Sequence, residues 1–374
     1  MALYHLKAGV ISRSTGRSAV QGIAYATGVK LHEEWRGQSA DYTNIKGRAD
    51  ITYETLAPEH SPEWVKDLNT LWNKVDQFED KYAEKRYKTP ETIEAYKNCC
   101  QTAQTIIVAL QKELTIEENQ NAIRQFSKRF TDRGLIVTYA IHNEEGNPHA
   151  HLQITRRALT AEGEFSWTKD REIVSRSEHT ITRKLWADLN NIALEKAGFE
   201  TRIDHRSYAE RGIDLMPTKH EGYHAHKLDS LGIQSDLIEF NKEVKFENRE
   251  RVSFHTNIIV QELTSKQSTF TELHLLRTIQ KRVQDDPHLA SHVYEQVLKN
   301  SVSVGTDLDG QKRLAHSDYV QKEQQLFSAI EHLCQRDSFL SIEASAIEKA
   351  LKYPEQARLN KGTVANRFQN RKER

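Results

Sequence analysis

The stretch IHNEEGNPHAHLQI, residues 141–154, carries His142, His149 and His151 in a His-x6-His-x-His spacing. The residues before it, 135–141, read LIVTYAI. Such a β-branched and aromatic run predicts a strand. Residues 143–147 hold Gly146 between two asparagines, which is turn chemistry. Beyond the turn, Ala150, Leu152 and Ile154 alternate with His149, His151 and Gln153. Side chains on a strand alternate between its two faces, so His149 and His151 share one face and the apolar residues pack on the other. If the two strands pair across the turn, His142 joins that polar face. A His-x-His pair alone says little in a chain with 17 histidines. The third histidine, at hairpin distance and on the same face, is what makes the group a candidate metal site. Three protein ligands leave coordination positions open, which favours a catalytic or substrate-binding ion over a sealed structural one.

Working outward, residues 2–8 read as a first strand and SRSTGR, 12–17, as a basic glycine-containing loop. Residues 18–27 predict a helix capped by Ser18, with Gln21 at the capping-box position and Gly28 as terminator. Gly22 interrupts its pattern. Residues 37–104 are polar and weakly patterned, with a charged, helix-like stretch from Trp64 to Tyr96. TIIVAL, 105–110, reads as a strand. A Thr115/Glu118 capping box opens a helix running to Arg133, with Ile116, Ile123, Phe126 and Phe130 near one face. Residues 177–197 form a further amphipathic helix. Strands and helices that alternate irregularly around a central hairpin predict an α+β fold with a central antiparallel sheet flanked by helices. A first domain is expected over 1–225, a charged helical connector over 226–262 and a winged-helix-like module over 263–353, with a flexible basic tail over 354–374. The module has two helices, 271–283 and 289–299, and a hairpin turned at Asp309-Gly310.

Charge is balanced over the whole chain, with 53 basic and 53 acidic residues among 374. The local distribution is not: residues 1–32 contain no acid but carry Lys7, Arg13, Arg17 and Lys30. A local positive patch is the usual footprint of phosphate binding. Cys99, Cys100 and Cys334 have neither zinc-ligand nor disulfide-framework spacing, as expected of a protein in a reducing compartment. No signal-peptide core and no run of ~20 apolar residues is visible, so the expected location is the cytoplasm.

On a helical wheel of ~100° per residue, Val20, Ile23 and Ala24 share one side of the first helix and Tyr25 falls nearly opposite, close to Ser18 and Gln21. A core tyrosine would lie with Val20 and Ile23. Tyr25 is therefore either an ordinary exposed tyrosine, one of 13 in the chain, or a functional one.

Together these residues resemble a known family. YHLKAGVISRSTGRSAVQGIAYATG, 4–28, resembles the first motif of the MobA/MobL class of conjugative relaxases, and IHNEEGNPHAHLQITRR, 141–157, resembles its histidine-rich HUH endonuclease motif. TRIDHRSYAERGIDLMPTKHEG, 201–222, and the shorter LAPEHSPEW and LWNKV resemble further runs of the class, in the expected order. The resemblance implies an HUH relaxase fold, Tyr25 as nucleophile, and His142, His149 and His151 as metal ligands. By softness, three nitrogens would suit Mn²⁺, Zn²⁺ or Ni²⁺; the resemblance implies Mg²⁺ or Mn²⁺. It also implies strand-specific nicking of single-stranded DNA at an origin of transfer through a 5′-phosphotyrosyl intermediate. The implied partners are accessory relaxosome proteins and a type IV secretion coupling protein. Lys7, Arg13, Arg17 and Arg206 are the candidate DNA-phosphate contacts. Asp204 and His205 are candidate bases by type, though a structural role is favoured for both.

Residues from about 253 to 335 resemble the start of the helicase region of TraA-type relaxases, but the chain has no Gly-Lys pair and so no P-loop. One departure from the family pattern stands out: Thr105 and Ile107 occupy positions where an E-x-E pair is usual. Two other readings share the histidine triplet, a rolling-circle replication initiator or transposase of the HUH class. A third is a non-catalytic DNA-binding plasmid regulator. The tyrosine lying upstream of the histidines favours the relaxase arrangement.

Overall fold

The computed structural model describes residues 4–44, 51–143, 147–219, 221–283, 286–307 and 310–335. In chain order the first elements are β1 (Leu6–Ser12), α1 (Ala19–Thr27), β2 (Lys30–Glu33), β3 (Gln38–Asp41), β4 (Ile51–Leu56), α2 (Leu68–Arg86) and α3 (Pro90–Cys99). Then come β5 (Gln101–Ala109), α4 (Ile116–Thr131), β6 (Val137–His142), β7 (His149–Thr155), β8 (Arg157–Leu159), β9 (Phe165–Lys169) and α5 (Arg176–Lys196). The helical part follows: α6 (Gly222–Ser230), α7 (Asp236–Phe254), α8 (Asn257–Thr264), α9 (Glu272–Arg282) and α10 (Pro287–Lys299), a hairpin of β10 (Ser301–Thr306) and β11 (Lys312–His316), and α11 (Ser317–Gln335). None of the described helices is long and apolar enough to cross a membrane.

Five strands form an antiparallel sheet in the order β1-β5-β7-β6-β4. Its register decides which residues share a face. His149 lies across from His142 and Ala109, and His151 across from Ala140 and Ile107, while Lys7 pairs with Ile107. One face thus carries Lys7, Ile107, Ala140 and the three histidines. The opposite face carries Leu6, Val108, Ala150, Leu152, Tyr139 and Ile141, and α4 and α5 cover it through Phe126, Phe130 and Trp186. The histidine face is covered over part of its area by α1 and α2, with Ile11, Ala103 and Ala140 packing against Val20, Ile23, Ala24, Leu71 and Trp72.

Local chemistry explains the elements. Thr115 and Glu118 close the expected capping box on α4. Ser18 accepts from Gln21 N to start α1, and Gly28 ends it at φ 69°, a left-handed backbone that favours glycine. Gly22 has a packing reason: a Cβ there would lie 2.6 Å from both Gln153 Oε1 and Ile11 Cδ1. α1 therefore lies flush on the sheet. Two strand boundaries differ from the sequence expectation. β1 is Leu6–Ser12 rather than 2–8, and β5 begins at Gln101 rather than Thr105. Polar residues such as Gln104 are buried there because β5 is flanked on both sides, and polarity does not reveal a central strand. The helix-like stretch from Trp64 splits into α2 and α3, the latter opened by Thr89 and Pro90.

The chain divides into two compact units, one of Met1–Lys299 with Val304–Leu314, the other of Asn300–Ser303 with the chain from Ala315 onward. Within the first, a third core joins Val252 of α7, Ile258 and Leu263 of α8, Leu275 and Ile279 of α9, Val293 of α10, Phe270 and Leu314. The expected helix-helix-hairpin order is present. Its core also takes in Ile213 and Leu215, upstream of the boundary expected at 225. In the second unit Ser317 caps back onto the Asn300 carbonyl. The expected tail at 354–374 lies outside the described residues, as does Asp309 of the expected turn.

Arg13, expected at a DNA phosphate, is instead internal. It is 4% exposed, with Nη1 donating to Asp80 Oδ1 at 2.6 Å and Nη2 to the Asp76 carbonyl at 2.9 Å. Burial alone would lower its pKa, but the hydrogen bond to Asp80 and the neighbouring carboxylate Asp76 hold it above its ordinary value. A guanidinium committed this way ties the 12–17 loop to α2 and is not offered to a ligand.

Two predictions follow from this packing. Gly22→Ala should lower the thermal unfolding midpoint: the methyl must displace buried Ile11 and the buried Gln153 amide that holds the Ala19 carbonyl, and such overpacking, typically about 1–3 kcal/mol, outweighs the gain in helix propensity of ~1 kcal/mol. An unchanged or raised midpoint contradicts the close approach. The second concerns Asp76, whose carboxyl burial pushes up to about 7, against the pull of Arg13 and with the push of Glu33 and Asp80. An unfolded aspartate titrates near pH ~4, so the native state binds the extra proton between those values, and stability falls as pH rises through that window. Asp76→Asn removes this contribution, so the variant should outlast the wild type in thermal melts at alkaline pH while the two converge in mild acid.

Candidate metal and tyrosine site

The end of the β6–β7 hairpin gathers the three histidines. His142 is buried and His149 and His151 are half-buried, and their ligating atoms lie within 4.8 Å of one another. Ring centroids are 4.6 Å apart for His142–His151, 4.9 Å for His142–His149 and 5.1 Å for His149–His151. Among the described residues the group consists of histidines alone.

Backbone carbonyls set two of the tautomers. His142 Nε2 is 2.6 Å from the Ala26 carbonyl oxygen, and His149 Nδ1 is 2.8 Å from the Asn147 carbonyl oxygen. A carbonyl only accepts, so each of those nitrogens must donate. That leaves His142 Nδ1 and His149 Nε2 with lone pairs, the form a metal needs. The donor set therefore fits one divalent ion with positions left open. The same carbonyls answer the departure at Thr105 and Ile107. Ile107 sits directly across from His151 and Thr105 across from Gln153, so no carboxylate stands in that row. Orientation of His142 and His149 comes from main-chain oxygens instead.

Ala26 is the residue after Tyr25, and its carbonyl is one of the last four of α1, which have no acceptor role inside the helix. His142 uses it. At the other end of α1, Gln153 donates to the Ala19 carbonyl at 2.8 Å. The helix is thereby tied to the sheet at both ends, and its outward face carries Tyr25. Six of the nine residues of α1 are buried, whereas Tyr25 is 41% exposed. Its ring stands edge-on to His151, with centroids 6.1 Å apart.

Sequence reasoning missed Tyr42, whose ring meets that of Tyr25 edge-on at 5.5 Å. Nothing in the weakly patterned run around it distinguishes it; only the β2–β3 hairpin brings it here. Tyr4, the other early tyrosine, is spent elsewhere. Its hydroxyl donates to the Arg183 carbonyl at 3.2 Å, and burial pushes its pKa up to about 12. Of the remaining predicted contacts, Lys7 is exposed on the histidine face, in one row with Ile107 and His151. Arg17 is exposed just before α1. Arg206 grips Asp204 through two nitrogens, at 2.9 and 3.1 Å. Asp204 is held below the usual carboxylate range: burial would raise it, but Arg206 and Lys266 overcome that. Asp204 is thereby fixed among cations.

Residues 17–230 match the model of the MobA/MobL family, and the chain belongs to that family. It is 30% identical over 337 residues to "Conjugal transfer protein TraA" of Agrobacterium fabrum, an alignment covering 80% of this chain and 29% of that protein. It is 28% identical to "Probable mobilization protein MobA" of Bifidobacterium longum, over 66% of this chain and 48% of that one. The chain thus spans less than a third of the TraA protein it matches. A solved structure described as "Molecular Basis of Vancomycin Resistance Transfer in Staphylococcus aureus" aligns at 29% identity and a TM-score of 0.48, over 55% of this chain.

If the triad holds an ion, His149→Ala should weaken Mn²⁺ binding by at least about tenfold in calorimetric titration, since even loss of a supporting outer group costs 10- to 100-fold. Equal affinity in the variant would remove the triad as the site.

Proposed function

We propose that this chain is the relaxase part of a conjugative transfer system, nicking one strand of single-stranded origin DNA by transesterification at Tyr25. The observation that carries the reading is the joint position of an exposed phenol and three clustered imidazoles, two of them with tautomers set by carbonyls, linked through the Tyr25–Ala26 main chain and the His142 hydrogen bond. The names of the matched relatives, which are conjugal transfer and mobilization proteins, support the same class.

On this reading, His142, His149 and His151 hold a divalent ion, Mg²⁺ or Mn²⁺. When bound, it supplies positive charge to the non-bridging oxygens of the phosphate, a contribution of several kcal/mol to the transition state. The chain's own residues do the rest. Tyr25 Oη attacks phosphorus, a P–Oη bond forms, and the bond from phosphorus to the 3′ oxygen breaks. The net fate of the phenolic proton is the departing 3′ hydroxyl. The phosphotyrosyl ester keeps the free energy of the phosphodiester, so the reverse attack reseals the strand without ATP. Main-chain ties at both ends of α1 hold the nucleophile at a fixed distance, which lowers the entropic cost of the attack.

The floor for the strand is the part of the histidine face that α1 leaves bare. Lys7 there is exposed and Thr105 and Ile107 are half-buried. Lys7 and Arg17 are the phosphate contacts on this face; contacts of this kind hold DNA without reading its sequence. The partners this reading carries are origin DNA, accessory relaxosome proteins and a secretion coupling protein, with the nicking done in the cytoplasm before export.

Tyr25→Phe should abolish covalent attachment to nicked origin DNA while changing its affinity for the uncut strand by less than about threefold, the phenyl ring being kept. Chelation should stop cleavage by the wild type. The check is denaturing gel electrophoresis of protein incubated with end-labelled origin strand and Mn²⁺. An adduct formed by the Tyr25→Phe protein would end the assignment.

A further inference from the structure

A cavity of about 770 Å³ lies where the segment after α5 meets α8 and α9, with Tyr4 and Glu113 on its rim. Seven lysine and arginine side chains line it against three carboxylates. We propose that this pocket binds the phosphates of single-stranded DNA and is a second anchorage for the strand engaged at Tyr25; the proposal rests on the relaxase reading above.

Pairing inside the pocket does not cancel its charge. Asp204 is shared among Arg206 at 2.9 Å, Arg211 at 3.5 Å and Lys266 at 3.7 Å. Glu262 is already satisfied by Arg282, whose Nη2 and Nε donate at 2.7 and 2.9 Å. The carboxylates therefore hold several cations at close range and leave an excess of positive charge. Arg277, on the exposed side of α9, adds to it. One buried carboxylate gathering like charges gives a pre-set anion site, because the repulsion between the cations is offset before any ligand arrives. Phe199 and Tyr208 bring aromatic surface to the same wall, and Phe199 is 36% exposed. Positive charge interleaved with aromatic faces suits a single strand, whose bases stack while its phosphates are neutralised.

Position favours a strand over a free nucleotide. At this end of the sheet Ile51 of β4, His142 of β6, His149 of β7 and Ala109 of β5 lie in register in one row. Ala109 N donates to the His5 carbonyl and Leu110 N to the Pro148 carbonyl, so the start of β1 and the start of β7 are linked across the end of β5. At ~4.8 Å between neighbouring strands, β1 lies about 10 Å from the strand bearing His149 and His151. The row His151, Ile107, Lys7 crosses that gap on one face and ends at β1, the outer strand. Tyr4, at the entrance to β1, lines the pocket. A backbone leaving Tyr25 over Lys7 and around the β1 edge meets the pocket next.

The test uses the full chain with Tyr25→Phe, to keep DNA uncut, and fluorescence anisotropy with oligo(dT) of about 8 and about 25 nucleotides, lengths below and above the site size of one binding surface. The longer strand should bind at least tenfold tighter. Lys266→Glu with Arg277→Glu should remove that gain, leave the short strand unaffected, and reduce the slope of log K against log salt by about 1.4, the value for two single-strand phosphate contacts. Lys266→Ala with Arg277→Ala, verified by an unchanged melt, should give the same ranking with a smaller loss. The equal charge change at Lys299→Glu with Lys322→Glu, outside the pocket, should do nothing to the gain. No loss with the pocket variants, an equal loss with the outside pair, or full competition by dTMP at concentrations equal in phosphate overturns the proposal. Wild type incubated in parallel with origin DNA and Mn²⁺ reports separately on nicking. An adduct with no pocket effect sinks only the pocket. Pocket-dependent binding with no adduct sinks the relaxase reading and supports the pocket as a DNA site.

Discussion

The hydrogen bond between His142 Nε2 and the Ala26 carbonyl, 2.6 Å long, is the constraint on which the rest of the site depends. It fixes the imidazole tautomer, and it uses a helix-end carbonyl that α1 cannot satisfy internally. It also fastens the chain one residue from Tyr25 to the strand that carries a histidine of the cluster. Losing it would free a buried polar group on both sides, a cost of about 1–3 kcal/mol. The nucleophile candidate and the metal candidate are therefore one mechanical unit. Gln153 on the Ala19 carbonyl and the flush contact at Gly22 complete the clamp.

The sheet does two different jobs with its two faces. One is sealed by Phe126, Phe130 and Trp186 and supplies stability. The other is sealed beneath α1 and α2 and left open at the Lys7 end of β1, in the row of His151. A polar, partly open face beside a sealed one is what an antiparallel sheet permits. The candidate site lies where the covering helix stops.

Much of this was legible in the sequence, for identifiable reasons. Period-two alternation around His149 and His151 is a strong signal because one face is fully buried, and the observed register bears it out. The wheel that set Tyr25 against Val20 and Ile23 worked because α1 packs on one side only. Capping residues marked α1 and α4. What was not legible depended on long-range partners. Arg13 reads as a surface cation in a basic loop until α2 brings Asp76 and Asp80 to it. Tyr42 has no local signature. The polar start of β5 hides a central strand. The cationic pocket draws on segments from Tyr4 to Lys281, so no window of sequence contains it.

The most direct measurement is the distance between the Tyr25 ring and an ion in the histidine cluster. Incorporation of 3-fluorotyrosine, with the Tyr25 resonance assigned by the Tyr25→Phe variant, allows Mn²⁺-induced relaxation to be read in the folded chain. The account predicts that substoichiometric Mn²⁺ broadens the Tyr25 signal strongly, with Tyr42 next, and that His149→Ala abolishes the effect. A Tyr25 signal that stays sharp while Mn²⁺ binds the triad would contradict it.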